Sequence, residues 1–193
     1  MQPDPWLQRW LPLIVGRAAG SPVLELGCGA GEDSAVLAAN GLQVLGIDLS
    51  AQAVATAQAR VPSAQFLARD LRDPFPLGPA STGVVLASLS LHYFPWVETE
   101  ALVARIHETL RPGGVLLCRM NSTNDHHFGA SGHPLIEENY YLVDGAPKRF
   151  FDRDSMQRLF GQGWRTLGLE EVVTHKYTQP KSAWEAVLEV AIP

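Results

Sequence analysis

The sequence predicts an α/β fold of three layers, with helices on both faces of a mainly parallel sheet, and three observations carry that expectation. Strand-like and helix-like periods alternate from about residue 22 onward, the pattern of successive βαβ units. A glycine-rich turn, Gly27-Cys28-Gly29-Ala30-Gly31, joins the first strand of that alternation to its first helix. Acidic residues stand at the ends of the first three strands. At 193 residues the chain supports one well-packed core, because folding at this size hides roughly 70 % of the surface the unfolded chain exposes. No internal repeat or composition break divides it, so a single domain over 1–193 is expected.

Residues 1–21 read as an N-terminal helix in which Trp6 and Trp10, four apart, either pack the helix down or close over a cleft. Val23 to Leu26 is the first strand. Ser34 to Asn40, rich in Ala and Leu, reads as a helix, Gln43 to Ile47 as the second strand, and Ala51 to Arg60 as a helix stopping before Pro62. Gln65 to Ala68 and the apolar Gly83 to Ala87 are the third and fourth strands. Pro95 opens an amphipathic helix with Val97, Ala101, Ile106 and Leu110 as its buried stripe. Pro112-Gly113-Gly114 breaks that helix and feeds the fifth strand, Val115 to Cys118.

Ser122 to Lys148 is polar, aromatic and rich in His without a clear period, so an irregular binding loop or lid is expected there. Asp152 caps a helix through Phe160 that Gly163 closes, with Phe150 and Phe151 as core anchors. Leu169 to Tyr177 and Ala183 to Ile192 read as two strands joined around Pro180, paired antiparallel at one side of the sheet, in which Trp184 and Glu185 are structural.

Charge and cysteine usage narrow the partners. A net charge of −5 with 18 % charged residues offers no basic stripe for a phosphate backbone, so no nucleic-acid partner is expected. Cys28 and Cys118 lie far apart with no CxxC or Cys/His spacing, which points away from a disulfide framework or structural zinc and toward a reducing, cytoplasmic setting. The opening Met1-Gln2-Pro3-Asp4-Pro5 lacks a basic leader pattern, and no stretch approaches the ~18 apolar residues of a membrane span.

Glycines at the strand-to-helix turn let a ligand approach the backbone with no Cβ in the way. The spacing is GxGxG, and Glu32 stands where a dinucleotide fingerprint requires its third glycine, which argues against a nicotinamide-dependent oxidoreductase. Glu25 interrupts the first strand, Asp48 ends the second and Asp70 follows the third, so the three carboxylates can face one crevice. Clustered negative charge is costly there unless the occupant is positive or rich in hydrogen-bond donors.

In these residues the chain resembles the class I S-adenosylmethionine-dependent methyltransferases. Val23 to Gly31, VLELGCGAG, is similar to the family's first motif, Asp48 to its acidic second motif, Arg69-Asp70-Leu71 to its adenine-side motif, and Leu110 to Gly114, LRPGG, to the turn before its fifth strand. The resemblance spans residues 20 to 120 in order. It implies a Rossmann-like seven-stranded sheet in the order 3214576 with one antiparallel strand, and a cofactor-binding core over 22–121. It also implies S-adenosylmethionine as cofactor and S-adenosylhomocysteine as product. Carried to these positions, Asp48 accepts the ribose hydroxyls with Leu49 beside it, Asp70 and Leu71 take the adenine, Gly27, Cys28 and Gly29 pack on the methionine part with Ser88, and Glu25 lies near the ammonium, directly or through water. The cofactor carries a sulfonium, an ammonium and one carboxylate and no phosphate, so an acidic crevice suits it.

Methyl transfer is then an in-line displacement that needs a general base only if the acceptor must lose a proton. Ser88 to Phe94 resembles the fourth motif of the family's small-molecule members and lacks the Pro-Pro element of enzymes that methylate a flipped base. His92 is the candidate catalytic residue, to orient or deprotonate an acceptor; hydrogen-bonding the turn or stacking on the cofactor stays open to it. Tyr93, Asn121, His126 and Tyr140 are candidate acceptor contacts, and Lys148 and Arg149 join them for an anionic acceptor. Asp125, His126, His127 and His133 form a conceivable metal set, yet none is expected to bind an ion. The expected function is methyl transfer to a small molecule by a monomer or homodimer, with residues 122–150 as the acceptor segment and 151–193 as the C-terminal helix and strand pair. A non-catalytic cofactor-binding module, or methylation of a protein side chain, is the alternative.

Overall fold

The computed structural model describes residues 5–191, so the expectations at Met1 to Asp4 and at Ile192 lie outside the described residues. A 3-10 turn, Gln8–Trp10, leads into α1 (Leu11–Ala18), and the alternation then runs β1 (Val23–Leu26), α2 (Glu32–Ala39), β2 (Val44–Asp48), α3 (Ala51–Arg60), β3 (Gln65–Ala68) and β4 (Thr82–Ser88). A second 3-10 turn, Leu91–Tyr93, precedes α4 (Trp96–Thr109) and β5 (Leu110–Asn121). After them come β6 (Leu135–Glu137), β7 (Tyr140–Val143), β8 (Ala146–Arg149), α5 (Arg153–Leu159), β9 (Trp164–Thr174) and β10 (Lys181–Val190).

Seven strands form one sheet in the order β3-β2-β1-β4-β5-β10-β9. β10 pairs antiparallel with both β5 and β9, while the β1–β2, β1–β4, β2–β3 and β4–β5 pairs are parallel. This is the seven-stranded, mainly parallel, Rossmann-like arrangement that the resemblance implies. A sheet covered on both faces buries alternate residues in opposite directions. Leu24, Leu26, Ile47, Val85, Leu116 and Cys118 meet Leu102, Val103 and Ile106 of α4 and Met156 and Leu159 of α5. Val23, Val44, Val84, Leu86 and Leu117 meet Ile14 of α1, Leu37 of α2 and Ala57 of α3.

Several boundaries and one stripe differ from expectation. α1 does not reach Trp6: Pro12 sits in its first turn, where the absent N–H costs nothing, so the helix starts there. α2 begins at Glu32, two residues early, because Gly31 at φ 77° supplies the N-cap and Glu32 and Asp33 favour the first turn. On α4, Val97 is 76 % exposed and Ala101 is exposed, whereas Thr99, Leu102, Val103, Ile106 and Thr109 are buried. Ile106 shares a helix face with positions three, four and seven residues back, not with one five back.

The expected irregular loop is also corrected. Residues 135–149 form a small antiparallel sheet, β6-β7-β8. Val143 pairs with Ala146 across Asp144 and Gly145, both at positive φ (51° and 81°), the geometry of a tight two-residue hairpin turn.

Candidate functional site

The ends of β1, β2 and β4 open on one crevice, and the glycine turn shapes its floor. Gly27 sits at φ 73°, and a Cβ there would lie 2.4 Å from the Ser90 Cβ, so no other side chain fits without displacing the turn. Ser90 Oγ donates to Leu26 O at 2.6 Å and holds the two turns together. Asp48 braces the loop from the next strand, its carboxylate accepting from Gly29 N and Ser50 N, each at 2.9 Å.

A cavity of about 220 Å³ extends from this turn, and Glu25, Gly27, Cys28, Gly29 and Ser88 all line it. Glu25 is buried and accepts a short hydrogen bond from Ser34 Oγ. Burial, reinforced by the carboxylates of Asp33 and Asp48, pushes its pKa up to about 8 against the opposing pull of Ser34. Burial, with Glu25 and Asp48 adding to it, likewise pushes the Cys28 thiol up to about 12, so this cysteine packs and does not react.

The facing wall is cationic. Arg119 donates from Nε to Ser88 Oγ at 2.9 Å and lies 4.6 Å over the Trp6 ring, whose Nε1 donates to the Asp33 carboxylate at 3.1 Å. Lys176 reaches Glu32, and its hydrogen bond holds that carboxyl below the usual range. Arg119, Lys176 and Tyr177 line the same cavity, so the pocket is acidic at its floor and basic at its rim. Sequence reading did not single these three out as site residues. The signal that could have found Arg119 is its place as the one charge within the apolar run Val115 to Met120.

Asp70 does not line this cavity. It stands at the neighbouring turn, accepting from Arg72 N at 2.8 Å, and Arg69 N donates to Asp48 O to tie that turn to the end of β2. Leu71 is buried beneath it, and Leu49 is 73 % exposed beside Asp48.

In the 3-10 turn after β4, His92 is 4 % exposed, and among the described residues its Nδ1 has no hydrogen-bond partner. Burial, reinforced by the Lys181 and Lys148 charges, drives its pKa down to about 3, so the imidazole is neutral. The Tyr93 ring, half-exposed, packs tilted at 41° against the His92 ring with centroids 4.1 Å apart, and burial and the Asp48 charge raise its phenol pKa above the usual value. Asn121 is buried, donating weakly to Arg149 O at 3.4 Å, with Oδ1 unpartnered among the described residues.

Two other expected contacts stand apart from the crevice. Tyr140 is buried with its hydroxyl donating to Tyr93 O at 2.9 Å, which makes it a strut under the Tyr93 turn. His126 is exposed, 3.5 Å from Ser131 Oγ. Asp125 is buried and binds Lys181 Nζ at 2.7 Å and Ser182 N at 3.1 Å, while His127 is exposed. Arg149 is buried as well, donating to Phe94 O and Glu138 O beneath the Tyr140 ring.

Residues 23–114 match the family model described as a methyltransferase domain. An uncharacterised methyltransferase of Synechocystis sp. is 32 % identical over 96 residues, 50 % of this chain and 45 % of that protein. The trans-aconitate 2-methyltransferase of Paracidovorax citrulli is 37 % identical over 106 residues, 53 % of this chain and 40 % of that protein. The chain thus spans about half the length of the curated relatives it matches. A solved S-adenosylmethionine-dependent methyltransferase from Methanosarcina mazei superposes with a TM-score of 0.81 at 16 % identity, over 100 % of both chains, a likeness of fold.

Proposed function

We propose a methyl-transfer function for this chain, which belongs to the class I S-adenosylmethionine-dependent methyltransferases. The acceptor is a small molecule and the cofactor S-adenosylmethionine, which when bound supplies an electrophilic methyl group on a sulfonium. The observation that carries the reading is the bipolar cavity beside the glycine turn, where buried Glu25 faces Arg119 and Lys176. A zwitterionic amino-acid end fits such a pocket: its ammonium beside Glu25, its carboxylate toward the two cations. A pyrophosphate would bring two negative charges onto the Glu25 side and does not fit.

Asp48 holds the ribose hydroxyls next to exposed Leu49, and Asp70 and Leu71 receive the adenine at the adjoining turn. Gly27, Cys28, Gly29 and Ser88 leave room for the methionine part. The protein's remaining work is to align the acceptor and exclude water, and orientation alone supplies roughly 7–11 kcal/mol in well-oriented systems. His92, neutral and with Nδ1 unpaired among the described residues, orients the acceptor by a hydrogen bond and does not take a proton at neutral pH. Tyr93 stands at the rim, and residues 122–150 select the acceptor. The relative named for trans-aconitate supports a small-molecule acceptor.

Calorimetric titration with S-adenosylhomocysteine tests the site. Saturable binding that Asp48→Ala weakens by roughly 100-fold and Gly29→Leu abolishes is expected. Binding unchanged in both variants would overturn the assignment. Transfer of labelled methyl to small acids or extract fractions separates catalysis from cofactor binding alone, which a regulatory module would show without transfer.

A further inference from the structure

We infer that Trp6 is a positioning residue for the amino-acid end of the cofactor, its ring face holding Arg119 and its N–H holding Asp33; this rests on the methyl-transfer reading above and adds a residue to that site. The N-terminal segment carries two tryptophans, and they do different work. Trp10 packs against β9, where a Cβ at Gly168 would meet its ring at 3.1 Å, and its buried Nε1 has no hydrogen-bond partner among the described residues. Trp6 is buried in the apolar layer it shares with Leu7, Ile14 and Leu37, yet its polar contacts leave that layer. Its Nε1 donates to both Asp33 oxygens, at 3.1 and 3.2 Å, and the Arg119 guanidinium carbon lies 4.6 Å from the ring centroid.

Both of those partners line the cofactor cavity, whereas Trp6 lines a neighbouring cavity of about 520 Å³ that shares Lys176 with it. Trp6 therefore acts on the cofactor through other side chains. Asp33 belongs to the acidic floor: it stands in the first turn of α2, and its charge is one of the causes that raise the Glu25 pKa. Arg119 comes from β5 and belongs to the basic rim. Segments distant in the sequence thus meet on one indole, which is held in place by buried Leu7 and by Gln8 N donating to Pro5 O at 2.8 Å.

An indole suits this place. Its face attracts a guanidinium and its edge N–H only donates, so one rigid ring fixes a cation and an anion at once. A guanidinium recognises a carboxylate through a planar fork, and the plane matters as much as the charge. Ser88 Oγ takes the Arg119 Nε–H at 2.9 Å and Trp6 covers a face of the same group, so together they set that plane. An amino-acid end needs partners for its ammonium and its carboxylate at a fixed spacing, and Trp6 ties one residue of each wall to a single ring. A cofactor fragment without that end gains nothing from it.

The test uses the full chain, titrated calorimetrically with S-adenosylhomocysteine and with methylthioadenosine, which keeps the adenosine and the sulfur and lacks the amino-acid end. Trp6→Leu, which removes both contacts, is expected to weaken S-adenosylhomocysteine roughly tenfold and methylthioadenosine by less than about twofold. Trp6→Phe keeps a ring face over Arg119 and loses the donor to Asp33, so it is expected to weaken S-adenosylhomocysteine about threefold and to leave methylthioadenosine unchanged. This ring-for-ring variant decides the matter if Trp6→Leu does not fold. Equal losses for the two ligands mean a structural role only and overturn the inference, as does unchanged S-adenosylhomocysteine affinity in the folded variants; either result leaves the cofactor reading standing. Failure of the wild-type chain to bind S-adenosylhomocysteine overturns both.

Discussion

The two sides of the crevice are built by different means. The proposed cofactor side is framed by backbone turns at the ends of parallel strands, fixed by sheet register, by glycines at positive φ and by Asp48 bonding to two main-chain amides, with the side chains of Glu25, Arg119 and Lys176 lining the cavity they enclose. The proposed acceptor side consists of side chains on the small sheet, the 3-10 turn and the start of β10, held by a few buried polar contacts: Arg149 with Phe94 O, Tyr140 with Tyr93 O, and Lys181 with Asp125. A site made of backbone is as rigid as its sheet. A site made of side chains can be altered or loosened without moving the strands beneath it.

The sharpest way to break the comparison is on the backbone side. Gly27→Val adds left-handed strain to a direct clash with Ser90 and is expected to cost about 4 kcal/mol, read in denaturant melts, together with cofactor binding. Arg149→Met orphans the carbonyls of Phe94 and Glu138 and is expected to cost about 3 kcal/mol. Its Glu137 partner has a side chain 41 % exposed and contributes little to that figure. The comparison requires that this variant lose acceptor methylation while S-adenosylhomocysteine affinity moves less than about twofold, measured calorimetrically.

Glu25 gives a pH signature confined to the cofactor side. Its folded pKa of about 8 lies above the ordinary 4.5, so the folded state keeps a proton that the unfolded chain has lost. The contribution is complete below about pH 4.5 and disappears as pH rises through 8, so stability falls by roughly 2 kcal/mol between pH 6 and pH 8, and Glu25→Gln removes that slope. An ammonium beside Glu25 favours its charged form, so binding at pH 7 is expected to release about one proton, read from calorimetry in buffers of different ionisation enthalpy. The smallest effect is at the rim: Leu49→Ser, on a side chain 73 % exposed, leaves stability within about 0.5 kcal/mol and weakens S-adenosylhomocysteine only a few-fold.

The same division explains what could be read from the sequence. The proposed cofactor side rests on signals that are local in sequence: a glycine turn directly after an apolar strand, then Asp48 and Asp70 each at a strand end. The proposed acceptor side depends on contacts between distant residues, Arg149 with Phe94 and Lys181 with Asp125, which no periodicity records. The small sheet was missed although its turn, Asp144-Gly145, is a strong hairpin signal, because the flanking strands alternate poorly: Leu135, Ile136 and Leu142 are all exposed. The α4 stripe failed for a narrower reason, since Val97 and Ala101 lie four apart on a face that Ile106 does not share.

A crystal structure of the chain with S-adenosylhomocysteine tests the central claim most directly. The account requires the amino-acid end of the ligand in the cavity between Glu25 and the Arg119–Lys176 rim, the ribose on Asp48, and the sulfur facing His92 and Tyr93. A ligand seated elsewhere, for instance in the surface groove between Trp96, Asp152 and Arg158, would contradict it.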